Sequence, residues 1–205
     1  MKQLDQYIIE KFKLSTKNTK QTKYKYFPQT RDELRSILEE RLSKNKNANL
    51  NNIDVSQITD MNYLFWKLKP RKINISEWDV SNVTDMRGMF YYCTNFNCDI
   101  SESDVSNVKY MTRMCTYCEK LNCDISEWDV SNVKDMKYMF CGCKNFNCDI
   151  SDWDVSNVTN FEYTFNHCEK LTCDLNKWKP KNVINSIYTF KGTRYEKNLP
   201  KWYKQ

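Results

Sequence analysis

Cysteine is the residue type whose number and spacing could carry chemistry in this chain. Eight of the ten fall on two registers that each advance by 25 residues: Cys93, Cys118, Cys143 and Cys168 on one, Cys98, Cys123, Cys148 and Cys173 on the other. Thiols so placed could hold a metal, bridge as disulfides, act as nucleophiles or fill a core. Zinc wants paired ligands such as C-x2-C. "CTYC" at 115–118 has that spacing once, "CGC" at 141–143 does not, and no second pair matches. Disulfides suit an oxidising compartment, and copies stacked roughly 5 Å apart do not forbid a bridge. A free cysteine also packs as a small hydrophobe, and the first copy puts Leu68 and Ile73 at the same two registers. We therefore expect two core thiol ladders. Cys141 lies off both registers, at what reads as an outward position, and is the expected reactive thiol.

Other catalytic groups are few. His167 is the one histidine and reads as a surface bystander. Three scattered glycines cannot build a phosphate loop. Paired carboxylates recur at Asp99/Asp104, Asp124/Asp129 and Asp149/Asp154, one pair per copy, so they express a repeat before they express catalysis. With neighbouring Ser and Asn they offer the hard oxygens that calcium takes, but the glycine-rich calcium-repeat pattern is missing. The expectation is a chain with no catalytic residue, no cofactor and no metal site, and thus not an enzyme.

These residues are placed by a repeat. Let position 0 be the Asp that opens each "DVSN": Asp54, Asp79, Asp104, Asp129 and Asp154, with Lys179 in the sixth copy. Apolar residues recur at positions 4, 7, 10, 11 and 14, as in Val133, Met136, Met139, Phe140 and Cys143. That spacing predicts a short helix. Asn132 and its counterparts at position 3 read as N-caps, and Asp135 at position 6 as a first-turn anion. "FNCDI" alternates Phe96, Cys98 and Ile100 with Asn97 and Asp99, which predicts a half-buried strand. A fixed period of this length marks stacked units that cover one another's apolar faces. The predicted fold is an α/β repeat: a leucine-rich-repeat-like solenoid of about six 25-residue strand–helix rungs with an N-terminal helical cap. The cap is read from "TRDELRSILEERL", with Thr30 as N-cap, Glu33 closing a capping box, and Leu34, Ile37, Leu38 and Leu42 as the apolar stripe of a helix over 31–44. The expected domains are a basic N-terminal segment and cap (1–50), the repeat (51–193) and a C-terminal cap or tail (194–205). Ile187, Phe190, Trp202 and Tyr203 are expected to close that end.

The third copy has two faults. Ser103 stands where the other copies carry Trp78, Trp128, Trp153 and Trp178, and Cys115 stands where they carry Phe. Both delete core volume, leaving either a dent or a site repacked by its neighbours. On the outside, positions 8, 9, 12 and 13 are variable and rich in tyrosine and arginine, as protein interfaces are. Arg87, Tyr91, Tyr92, Arg113, Tyr117, Tyr138 and Tyr163 are the candidate partner-binding residues.

"FNCDISEWDVSNVKDMKYMF" resembles the repeat of the BspA-type, mycoplasma-lipoprotein-like family of leucine-rich-repeat-related surface proteins, whose usual form is close to "FNQDLSxWDVSNVTDMxxMFxxC". The likeness runs in phase over about residues 51–193. This chain departs from it at position 19, where Cys replaces the usual Gln. The resemblance implies adhesion or protein–protein contact and no enzymatic activity.

Charge adds one constraint. Residues 1–50 carry 12 Lys and Arg against 6 Asp and Glu; residues 177–205 carry 8 against 1, and residues 51–176 carry 12 against 19. Basic ends and an acidic middle read either as solvated lysines that keep the ends soluble or as a layout for end-to-middle contacts between copies; the acidic middle is set against nucleic acid, leaving only "KYKYF" at Lys23–Phe27 suited to it. No apolar run is long enough to span a bilayer, and the first residues show no signal-peptide pattern. The expected location is cytoplasmic or virion-associated. The expected function is a protein-binding or structural module of a larger assembly, such as a virus or phage particle, whose partners are proteins, copies of itself included. An adhesin-like surface protein is the alternative, and a metal- or thiol-dependent activity the third.

Overall fold

The fold begins at a helix whose start the sequence announces. In the computed structural model, which describes residues 23–203, Thr30 is extended and its side chain accepts from Glu33 N, opening α1 (Arg31–Lys44). Glu33 Oε2 reaches back to Gln29 N at 2.7 Å, one residue before the cap. Leu34, Leu38 and Leu42 are fully buried, and Ile37 packs at the edge of the same core. The first 22 residues of the expected basic segment and the last two of the tail lie outside the described residues.

The expected strand–helix rung is not what forms. Among the described residues α1 is the only α-helix. Among these residues no strand extends beyond a single bridge and no sheet forms. Isolated parallel bridges join Asp60 to Asp85, then Tyr110, Asp135, Asn160 and Asn185. The leucine-rich-repeat-like α/β solenoid is thereby corrected to a stack of coils built almost wholly from turns.

The reason lies in how the backbone N–H groups are shared. In the fourth copy Met139, Cys141 and Cys143 donate three residues back, to Met136, Tyr138 and Phe140, at 2.9–3.2 Å. The alternate residues Met136, Tyr138, Phe140 and Gly142 donate instead into the next coil, to Asn160, Glu162, Thr164 and Asn166, at 2.7–3.0 Å. A helix keeps every N–H for itself; this segment gives half of them to its neighbour. Tyr138 (φ 58) and Gly142 (φ 75) are left-handed, as the third residue of a type II turn must be. The same two positions are left-handed in all six coils, from Tyr63 and Lys67 to Tyr188 and Gly192. A non-glycine residue there costs about 1–2 kcal/mol, offset by coil-to-coil hydrogen bonds worth roughly 0.5–1.5 kcal/mol each. Apolar spacing of three and four residues thus serves consecutive turns as well as a helix.

The polar repeat residues join the coils. Asn132, read as an N-cap, instead donates its side-chain amide to Ser106 O in the preceding coil at 2.7 Å, as Asn82, Asn107 and Asn157 do to Ser56, Ser81 and Ser131. Asp135, read as a first-turn helix anion, accepts from Lys137 N two residues on. Asp79 and Asp104 close similar turns on Ser81 and Ser106. "FNCDI" keeps its alternation of burial but forms no strand. There Asn97 and Asn122 accept through Oδ1 from the N–H of Asn122 and Asn147 one coil on.

Each end is finished differently. At the first coil, Arg31 Nε donates to Asn62 O at 3.0 Å, and Arg35 Nη1 to Tyr63 O and Leu64 O at 3.2 and 2.7 Å. These guanidiniums occupy carbonyls on the edge that no preceding coil covers. At the last coil, Trp202 and Tyr203 pack on Phe190 at 5.9 and 5.5 Å between ring centres. Ile187, expected to help close this end, is instead 54% exposed.

Candidate functional site

The left-handed positions hold six tyrosines, Tyr63, Tyr92, Tyr117, Tyr138, Tyr163 and Tyr188. Because successive coils are in register, a side chain at position 9 or 13 faces its counterpart one coil on. Tyr92 and Tyr117 lie 4.6 Å apart between ring centres. Arg113 lies over Tyr138 at 4.8 Å, Tyr138 stacks on Tyr163 at 4.7 Å with the rings 5° from parallel, and Tyr163 meets Tyr188 at 5.1 Å. Tyr91 sits edge-on to Tyr92 at 4.7 Å and reaches Tyr63 at 5.8 Å. Six of the seven candidate residues therefore join an aromatic ribbon of two rows along the stack, Tyr91, Tyr92 and Tyr117 in one and Arg113, Tyr138 and Tyr163 in the other. Arg87 is the exception, held by Asp85 and lying over Tyr110 at 5.4 Å. Tyr92 and Tyr117 are exposed; Tyr91, Arg113, Tyr138 and Tyr163 are half-buried.

Two of the chain's three glycines, Gly88 and Gly142, lie under rings of this ribbon, and the third, Gly192, lies under His167. A Cβ on Gly88 would sit 2.3 Å from Cε1 of Tyr63, one on Gly142 2.5 Å from Cδ1 of Tyr117, and one on Gly192 2.5 Å from Nδ1 of His167. Each glycine is left-handed and lets the ring of the preceding coil lie down where a side chain would stand.

The thiols do other work. Cys93, Cys118, Cys143 and Cys168 are buried, and each Sγ donates to the carbonyl 28 residues back at 3.0–3.8 Å. In the second ladder the sulfurs of Cys98 and Cys148 accept from the N–H of Ile75 and Ile125 at 3.5 and 3.2 Å. All ten cysteines are unbridged, and Cys173 alone is partly exposed. Cys141, expected to face outward and react, is 5% exposed, and burial raises its pKa to about 11. The turn that carries it buries Cys141, as it does Thr116 and Asn166 at the same position, whereas Trp66 there is exposed. Burial also pushes Cys93 up to about 12. Such thiols are not nucleophiles at neutral pH.

The acidic face forms a shallow groove of about 510 Å³ lined by Asp99, Glu102, Asp124 and Glu127 among others. Hydrogen bonds from Ser101 and Ser126 hold Asp99 and Asp124 below the usual carboxylate range. No group of three or more His, Cys, Asp or Glu fit to hold a metal ion occurs among the described residues. No helix among them is long and apolar enough to cross a membrane. Lys25 and Tyr26 of "KYKYF" are tied to the first coil through Asn52.

The chain matches the family described as "Mycoplasma protein of unknown function, DUF285" over residues 33–136 and 116–205. It belongs to that family. No curated protein and no solved structure matches it.

In this family member the ribbon extends beyond the residues read from the sequence. Tyr63 and Trp66 begin it, 5.8 Å apart, and Tyr188 ends it beside Ile184 and Ile187, which are 83% and 54% exposed. A signal for that end existed. Positions 5 and 8 are polar or charged in the first five copies, as in Thr159 and Glu162, and turn to isoleucine only in the sixth.

Proposed function

We propose that this chain is a non-enzymatic protein-contact module and a structural part of a larger assembly, such as a virus or phage particle. The observation that carries this reading is the aromatic ribbon. Tyrosine, tryptophan and arginine are the residues on which interface energy concentrates. Rings already stacked on one another also lose little freedom when a partner covers them. The burial of the thiols weighs against a thiol-dependent activity.

The test is site-specific photo-crosslinking in the native source, with a benzophenone amino acid at position 92 or 117 and a control at Asn157 on another face. One discrete adduct with a second protein from the ribbon positions, and none from the control, supports the reading. A folded, expressed protein with no adduct from either ribbon position overturns it.

The likeness of the repeat to BspA-type surface proteins favours a second reading, adhesin-like binding at a cell surface. Labelling intact cells with a membrane-impermeant reagent separates the two, because only a surface-displayed chain is modified.

A further inference from the structure

Four coils place an indole in the same way. The Nε1–H groups of Trp78, Trp128, Trp153 and Trp178 donate to the carbonyls of Leu50, Ile100, Ile125 and Ile150, each 28 residues back, at 2.9–3.0 Å. Trp128, Trp153 and Trp178 stack at 6.5 Å, within 7° of parallel. One place in this ladder is vacant. Ser103 stands there, and the carbonyl that its indole would have met, Ile75 O, accepts only the turn bond from Trp78 N.

The vacancy is a cleft. It is lined by Trp78 and Trp128 from the flanking rungs, by Met86, Met89 and Met114, and by Ser103 at a half-buried mouth. The room it leaves for solvent is about 20 Å³, enough for about one water. An apolar cavity of about 150 Å³ takes a flat guest such as benzene, so this cleft must widen to admit a ring. Three methionines can turn aside at little cost, being unbranched and pliable.

We propose that this cleft binds a planar aromatic group carrying one ring N–H, of which indole is the smallest example. The guest lies in the ladder between Trp78 and Trp128, donates its N–H to Ile75 O and displaces the solvent at Ser103. A free indole-class molecule and a tryptophan side chain of another protein share this chemistry. The site is independent of the ribbon and stands or falls without it.

The test uses the full chain labelled with ¹³C at the methionine methyls. Indole titration shifts the Met86, Met89 and Met114 signals and leaves Met61 and Met136 in place. At tenfold excess over Kd it raises Tm by about 3–5 °C. 1-Methylindole, which lacks the donor, binds roughly two- to tenfold more weakly. Ser103→Trp fills the cleft and abolishes the shifts; should that variant fail to fold, the 1-methylindole comparison still decides. N-acetyltryptophanamide binding as well as indole points to a side-chain source, and its exclusion to a small molecule. Absence of methionine shifts at millimolar indole, or equal shifts at all methionines, overturns the proposal.

Discussion

Trp128 donates its ring N–H to the carbonyl of Ile100, 28 residues back and 3.0 Å away. That carbonyl already accepts from Ser103 N at 3.2 Å. One oxygen thus closes a turn within its own coil and holds the next coil in register. Cys118 does the same at Phe90 O, which accepts both Cys93 N and the Cys118 thiol. The coils are joined by side chains that reach one period plus one turn backward.

Trp128→Phe keeps an aromatic ring and loses this bond. It should lower stability by about 1–2 kcal/mol. Trp128→Ala also opens a cavity and should cost about 3–5 kcal/mol. Urea unfolding monitored by circular dichroism checks the order of the two.

Gly142→Ala puts a methyl group 2.5 Å from the Tyr117 ring at a left-handed φ of 75°. The expected loss is about 1–3 kcal/mol. Adding Tyr117→Ala should recover part of it, because the clash goes and the backbone strain stays. A double-mutant cycle that gives simple additivity contradicts the contact.

Arg35 closes the first coil through two carbonyls. Arg35→Ala should cost about 1–3 kcal/mol, since its partners are left partly unsatisfied. Hydrogen exchange localises the effect: amides of residues 61–66 should exchange faster, and those of 136–143 should not change.

The thiols set an alkaline limit. Cys93 and Cys148 are held near 12 and 11 by burial, above the value of about 8.5 for an exposed thiol. A raised folded-state value makes the thiol's contribution complete below the unfolded value and lost as pH rises from there toward the folded one. Stability should therefore begin to fall above about pH 8.5. At pH 8 the native chain should react slowly with a disulfide reagent and give ten thiols in urea. Rapid native reaction of Cys141 contradicts its burial.

The sequence by itself determined the period, the core and the cap. Its 25-residue spacing named which residues stack, and the alternation in "FNCDI" named the buried ones whether or not a strand forms. Thr30, Glu33 and the leucine stripe sufficed for α1, because capping and helical periodicity are local. It did not determine the conformation of positions 7–14, where spacing of three and four fits a helix and a run of turns equally. Only the tertiary structure decides that, since the choice depends on where alternate N–H groups find acceptors, and those lie in the next coil. The same cause turns Cys141 inward, sets the tyrosines in rows over Gly88 and Gly142, and makes the missing indole at Ser103 a vacancy between two others.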